Sequence, residues 1–317
     1  MNELTTDLKL LHEATLNNLK NSKANNTLRA YKSDFKDFAA FCAKHGINSL
    51  PSDPKIVSLY LTHLSKSSKI STLRRRLVSI SVVHKLKGHY LDLKHPIIVE
   101  NIMGIKRIKG SIQKGKKPLL INHLKSIINV IDEQKIHDIK KFRDKSIILI
   151  GFGGGFRRSE LISIDYEDLE LVSEGLKITL RRSKTDQFGE GMIKGLPYFA
   201  NESYCPVANL KKWLEISKIK SGPIFRRFSK GSNLTEKRLT DQSVVLLIKE
   251  YLNLAGIENK NFAGHSLRSG FATVAADSGA DERSIMAMTG HKTTQMVRRY
   301  IREANIFNNN ALNKVKI

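Results

Sequence analysis

Residues 265–300 read HSLRSGFATVAADSGADERSIMAMTGHKTTQMVRRY, two helical patterns interrupted by reactive side chains at fixed intervals. Leu267 to Asp277 and Asp281 to Thr289 carry apolar residues at the three- and four-residue steps of a helix packed along one face. His265 and Arg268 stand at i and i+3 at the start of the first pattern. Both can point into one cleft, beside backbone N–H groups able to hold a phosphate. Gly290-His291 makes a turn after the second pattern, and Tyr300 follows nine positions beyond His291, directly behind Arg298-Arg299.

Two stretches upstream supply the groups that this set lacks. Residues 155–161 read GFRRSEL, a glycine turn entering a helix that carries Arg157, Arg158 and Glu160, and Arg181-Arg182-Ser183-Lys184 adds a lysine in a strand-rich region. Two guanidiniums can grip both non-bridging oxygens of one phosphate, a lysine can protonate a leaving alkoxide, histidines can donate or relay protons, and a phenol can attack phosphorus. Together they suit phosphoryl transfer between a tyrosine and a nucleic-acid backbone.

Composition agrees. Fifty-four Lys and Arg face 30 Asp and Glu, a formal charge of +24, which repels itself in a compact chain unless a polyanion supplies the counter-charge. A membrane surface is the rival polyanion, but no basic amphipathic anchor is visible. The longest apolar run, Ile147 to Phe152, is far short of the roughly 20 residues that span a bilayer. The first 20 residues mix charged residues and Asn with leucines, unlike a signal peptide. Cys42 and Cys205 fall in segments read as different domains, so a disulfide is not expected and a reducing, cytoplasmic setting fits. No Cys/His cluster has zinc spacing and no glycine-rich Lys-Ser/Thr loop marks a nucleotide site; neither metal nor cofactor is expected.

In this order and spacing the reactive residues resemble those of the tyrosine recombinases, the phage-integrase family, and the N-terminal part resembles that family's core-binding domain; the likeness runs over about residues 25 to 305. The resemblance implies that Tyr300 attacks a DNA phosphodiester to give a 3′-phosphotyrosyl bond, with Arg157 and Arg268 on the phosphate and His265 and His291 assisting. Arg157, rather than Arg158, stands two positions before Ser-Glu-Leu, where the family has its arginine. Lys184 and Lys194 compete as general acid. Lys184 follows the first strand of a hairpin, where the family places its lysine, and is preferred; Lys194 then belongs to a solvated strand face. Glu160, three residues from Arg157, either orients a site residue or forms a surface pair. The family works as a tetramer on two sites of duplex DNA, exchanging strands as in site-specific integration of mobile elements. The tail Glu303 to Ile317 carries Ile306, Phe307, Leu312 and Val315 and suits a helix docking on a neighbouring copy. A type IB topoisomerase-like relaxing enzyme would use the same cleavage chemistry, and a non-catalytic DNA-binding protein would lack the full reactive set.

The expected fold is mainly α. An N-terminal domain of four helices, residues 1–105, comprises residues 27–45 capped by Asn26, a helix opening at Ser52-Asp53-Pro54, one over Ser71–Lys87 and a short one after Pro96. Arg74, Arg75 and Arg76 on the third are candidate DNA contacts. Residues 106–118 read as a flexible basic linker, with Lys106, Arg107, Lys109, Lys114, Lys116 and Lys117 lying along phosphates. Residues 119–317 form a mostly helical catalytic domain with a small antiparallel sheet. Its strands are 176–182 and 192–196, and its helices lie near 121–132, 139–152, 207–216 and 241–254 as well as in the quoted stretch.

Replacing the six basic residues of 106–117 by glutamine should weaken binding to specific and unrelated duplexes by similar factors. The slope of log affinity against log salt should become shallower by about 0.9 for each phosphate that the variant no longer neutralises, read by salt titration. An unchanged slope would mean that these residues neutralise no phosphate.

Overall fold

The computed structural model describes residues 6–21, 23–110, 115–181, 191–304, 312 and 315, and the chain divides into two units, residues 1–114 and 115–317. The first is all helix: α1 (Thr6–Asn21), α2 (Asn25–Lys44), α3 (Pro54–Ser65), α4 (Ile70–Leu86) and α5 (Pro96–Lys109). Helices α2 to α5 are the four read from the sequence, and α1 is an addition to them. Their apolar stripes meet around Phe38, Tyr60, Leu61, Leu73, Ile80 and Ile98. Asp53 accepts a hydrogen bond from the Lys55 amide at 2.6 Å and Pro54 takes the first helical position, so α3 starts where its residue types dictate. The cap expected at Asn26 is absent: α2 begins two residues earlier, at Asn25 behind Ala24, with no side-chain cap. Buried His84 uses both ring nitrogens, accepting from the Ser52 amide at 2.9 Å and donating from Nδ1 to the Ile80 carbonyl at 2.8 Å.

The structure adds partners to the α4 arginines and moves the start of the basic linker. Arg75 pairs with Asp34 but stays exposed, and partly buried Arg76 pairs with Asp37 and the Tyr60 hydroxyl. These pairs tie α4 to α2 across some 40 residues of sequence, and Arg74, like Arg75, is exposed. The basic linker also begins later than expected. Ile98, Ile102 and Ile105 keep the helical period against the core, so α5 runs on through Lys106, Arg107 and Lys109. At the far end the Lys117 amide donates to the Asn261 carbonyl at 2.7 Å, Lys116 Nζ to the Lys260 carbonyl at 2.7 Å, and the Leu119 amide to the Ser266 carbonyl at 2.9 Å. Lys116 and Lys117 therefore belong to the second unit. Lys114 lies outside the described residues.

The second unit is built around α7 (Asp138–Gly153), which is buried from Arg143 to Phe152. Helices α6 (Ile121–Glu133), α8 (Arg158–Ser163), α9 (Pro206–Ser217), α10 (Asp241–Leu254) and α11 (Ser266–Asp277) pack on it. Strands β1 (Leu169–Val172), β2 (Gly175–Leu180) and β3 (Met192–Pro197) form an antiparallel sheet, with Ile178 opposite Lys194 and Leu180 opposite Met192. A hairpin of β4 (Arg226–Phe228) and β5 (Leu234–Arg238) stands apart from it. Helices α12 (Glu282–Thr289) and α13 (Thr294–Ala304) close over α11 through a small separate cluster of Ala272, Ala276, Ile285 and Val297. Cys42 and Cys205 are free and buried, one in each unit. No helix among the described residues is long and apolar enough to cross a membrane.

Charge inside α7 is compensated locally. Arg143 donates to Asp144 at 2.8 Å, and the Tyr251 hydroxyl donates to the other carboxylate oxygen at 2.8 Å. Asp144→Ala would leave the Arg143 guanidinium buried without its carboxylate, at a cost of about 3–5 kcal/mol. Urea unfolding of the full chain should show that loss as a lower midpoint in the second unit's transition.

Candidate active site

The end of α7 sets the centre. Gly155 has φ +53°, a left-handed conformation suited to glycine, and the Phe156 ring folds back over Gly154 so closely that a Cβ there would meet it at 2.1 Å. This turn delivers Arg157 to the N-terminus of α8 in an extended conformation. The Arg157 amide donates to Glu160 at 2.9 Å, and the Arg157 guanidinium pairs with the other oxygen of the same carboxylate and reaches the Gly290 carbonyl at 3.5 Å. Glu160 is only 3% exposed, so the surface-pair reading does not hold: its carboxylate caps α8 and fixes the direction of Arg157.

Arg268, on the first turn of α11, is 4% exposed and donates to the Gly155 carbonyl at 2.9 Å. Its Nη2 is buried and has no hydrogen-bond partner among the described residues, an arrangement suited to an incoming phosphate oxygen. Burial first, then repulsion from Arg157, lowers its pKa to about 10, so it stays charged at neutral pH. His265 is the N-cap residue of the same helix and is exposed. It opens on a cleft of about 450 Å³ that is also lined by Arg158, Ser269, Thr273, Arg299 and Tyr300. Arg158 turns aside from the centre, its guanidinium 3.6 Å from Asp241.

His291 follows α12 and is mostly buried. Thr289 Oγ1 must give its single proton to the Ile285 carbonyl at 2.6 Å, so at 2.7 Å it accepts from His291 Nδ1. Nε2 of the neutral ring is thereby left as an acceptor. Burial first, then Arg268 and Arg157, push its pKa down to about 4. The Tyr300 ring on α13 lies 6.2 Å from it, tilted by 34°. Arg157, Arg268, His291 and Tyr300 therefore meet at one centre, with His265 at its rim.

Of the two candidate lysines, Lys194 departs from its sequence reading. Lys184 lies outside the described residues. Lys194 is 1% exposed rather than on a solvated face: Nζ donates to the Gly154 carbonyl at 2.6 Å and sits 4.2 Å from the centre of the Phe156 ring. Its pKa falls to about 7, chiefly through burial, with Arg268 and Arg157 lowering it further and Glu160 opposing. The strand alternation carried this signal, since Lys194 is in phase with Met192 and Leu196. Thr289 had no comparable mark in the sequence.

Comparison with known proteins identifies the family. The phage integrase family profile matches residues 118–305. An integrase/recombinase XerD homologue of Selenomonas ruminantium is 42% identical over 300 residues, 94% of this chain and 87% of that one. The tyrosine recombinase XerC of Leptospira interrogans is 24% identical, over 90% of this chain and 86% of that one. Among solved structures, the XerH site-specific recombinase bound to its difH substrate after cleavage superposes with a TM-score of 0.62 at 20% identity, covering 83% of this chain and 71% of that one. The Tn1549 transposon integrase in complex with transposon right-end DNA gives 0.60 at 14% identity, over 93% and 97%. The chain belongs to the phage integrase family and is a tyrosine-type site-specific DNA recombinase.

The His291 pKa carries a pH dependence. The unfolded imidazole, near 6.5, binds a proton that the folded one refuses down to about 4, so stability should rise with pH across that window and fall as the solution is acidified through it. Replacing His291 by Gln should flatten that part of the curve of urea midpoint against pH.

Proposed function

We propose that Tyr300 cleaves duplex DNA by in-line attack on a phosphodiester, forming a 3′-phosphotyrosyl bond and releasing a 5′ hydroxyl. The covalent link conserves the energy of the broken bond, so a different 5′ hydroxyl can rejoin the strand without a nucleotide cofactor. Arg157 and Arg268 hold the two non-bridging oxygens and stabilise the charge that grows on them, as preorganised donors do in a water-poor site. Neutral His291 can accept the phenolic proton through Nε2, and His265 donates from the rim. Lys184 protonates the leaving 5′ oxygen.

The observation that carries this reading is the convergence of two guanidiniums, one of them buried with an unpartnered N–H, on the phenol of Tyr300. The protein acts with DNA in the cytoplasm, as a homotetramer on two sites. Support for assembly comes from an apolar groove of about 500 Å³ lined by Leu124, Phe152, Phe199, Phe271, Val274 and Met288, and from a tail in which Leu312 and Val315 are exposed.

Tyr300→Phe should abolish covalent capture of a nicked suicide duplex while leaving duplex affinity within about threefold, because one hydroxyl is removed from a broad basic surface. Denaturing gels and mobility shifts read the two quantities. An adduct that persists in the variant would move the nucleophile elsewhere.

A further inference from the structure

Four consecutive residues at the end of α7 each perform one task. Gly154 offers its carbonyl to Lys194, Gly155 offers its carbonyl to Arg268, Phe156 lays its ring under the Lys194 ammonium, and Arg157 enters the site. The turn is thus gripped from two sides by cations on different elements, β3 and α11. Lys194 occupies an inward position of β3, in phase with buried Leu196, where an aliphatic residue would complete the sheet's apolar face. A charged side chain there is costly to bury. It is held by one carbonyl, one aromatic face and the field of Glu160, with Arg157, Arg268 and His291 as the other charged or titratable neighbours.

We propose that Lys194 is a positioning residue of the cleavage centre: by holding the Gly154 carbonyl and the Phe156 ring, it keeps Arg157 and Arg268 at the separation that fits a single phosphate, without itself touching DNA. This rests on the cleavage reading given above and assigns Lys194 a task distinct from proton donation by Lys184. Its ammonium is enclosed, and its hydrogen bond is spent on the backbone turn that carries Arg157. Misplacement of a phosphate-gripping group by about 1 Å can cost on the order of a hundredfold in rate, so the effect should fall on chemistry rather than on binding.

The test compares wild type, Lys194→Met, Lys194→Arg and Lys184→Ala in single-turnover cleavage of a suicide duplex at saturating protein. Each is measured with an ordinary 5′ oxygen and with a 5′-phosphorothiolate, whose sulfur leaves without protonation, at a temperature where every variant is folded by circular dichroism. Lys194→Met should cleave both substrates more slowly by the same factor, about 30-fold or more, with duplex affinity changed less than threefold. Lys194→Arg, which can still donate to the Gly154 carbonyl, should recover at least a tenth of the wild-type rate. Lys184→Ala should be slow on the oxygen substrate alone. Cleavage by Lys194→Met at the wild-type rate would overturn the proposal, as would its selective rescue by the phosphorothiolate, which would make Lys194 the general acid. Equal failure of Lys194→Arg and Lys194→Met would also overturn it. Wild-type adduct that depends on Tyr300, scored on the same gels, separates failure of this inference from failure of the cleavage reading.

Discussion

Two adjacent backbone carbonyls, those of Gly154 and Gly155, each receive a hydrogen bond from a buried cation, and the site is organised around that pair. A carbonyl offers partial negative charge without a proton to lose, so one accepts a hydrogen bond from the arginine and the other from the lysine, whose own pKa lies at about 7. The glycines are needed because the Phe156 ring occupies the space of one side chain and the second adopts a left-handed conformation. Removing that turn would cut the catalytic unit's central helix off from the helix that starts with Arg157.

The electrostatic balance of the centre is one-sided. Among the described residues, Arg157, Arg268 and Lys194 are set against a single buried carboxylate, Glu160; burial first, and then the neighbouring cations, lower the pKa values of Arg268, Lys194 and His291. Such a site repels its own charges until an anion enters, and the anion then meets donors already in place. The contrast with the N-terminal unit is instructive. There Arg75 and Arg76 are matched to Asp34 and Asp37, and their charge is turned to holding helices together.

Much of this was legible from residue order. Helix α10 runs from Asp241 to Leu254 as its periodicity requires, and the β2–β3 pairing follows from simple alternation. Elements escaped where packing gives little signal. Helix α1 leaves Leu8, Leu10 and Leu11 exposed, β1 has four residues, and β4 and β5 are rich in Arg, Glu and Lys. The basic run after Gly104 drew attention to its charge, while Ile98, Ile102 and Ile105 were quietly extending the helix. At the site, Arg157, Arg268, His291 and Tyr300 could be named because their order and spacing resemble the family's. The inward turn of Lys194 and the pairing of Arg75 with Asp34 depend on distant partners, which local patterns encode weakly.

The placement of the two cysteines gives the molecule a pair of internal reporters. Cys42 lies in the core of the first unit, and Cys205 accepts hydrogen bonds through its sulfur from the amides of Phe199 and Ala208 at the start of α9. Neither thiol can meet a labelling reagent until its own surroundings open. Alkylation rates at the two sulfurs, resolved by peptide mass, would therefore time the breathing of each half of the chain separately in the unmodified protein.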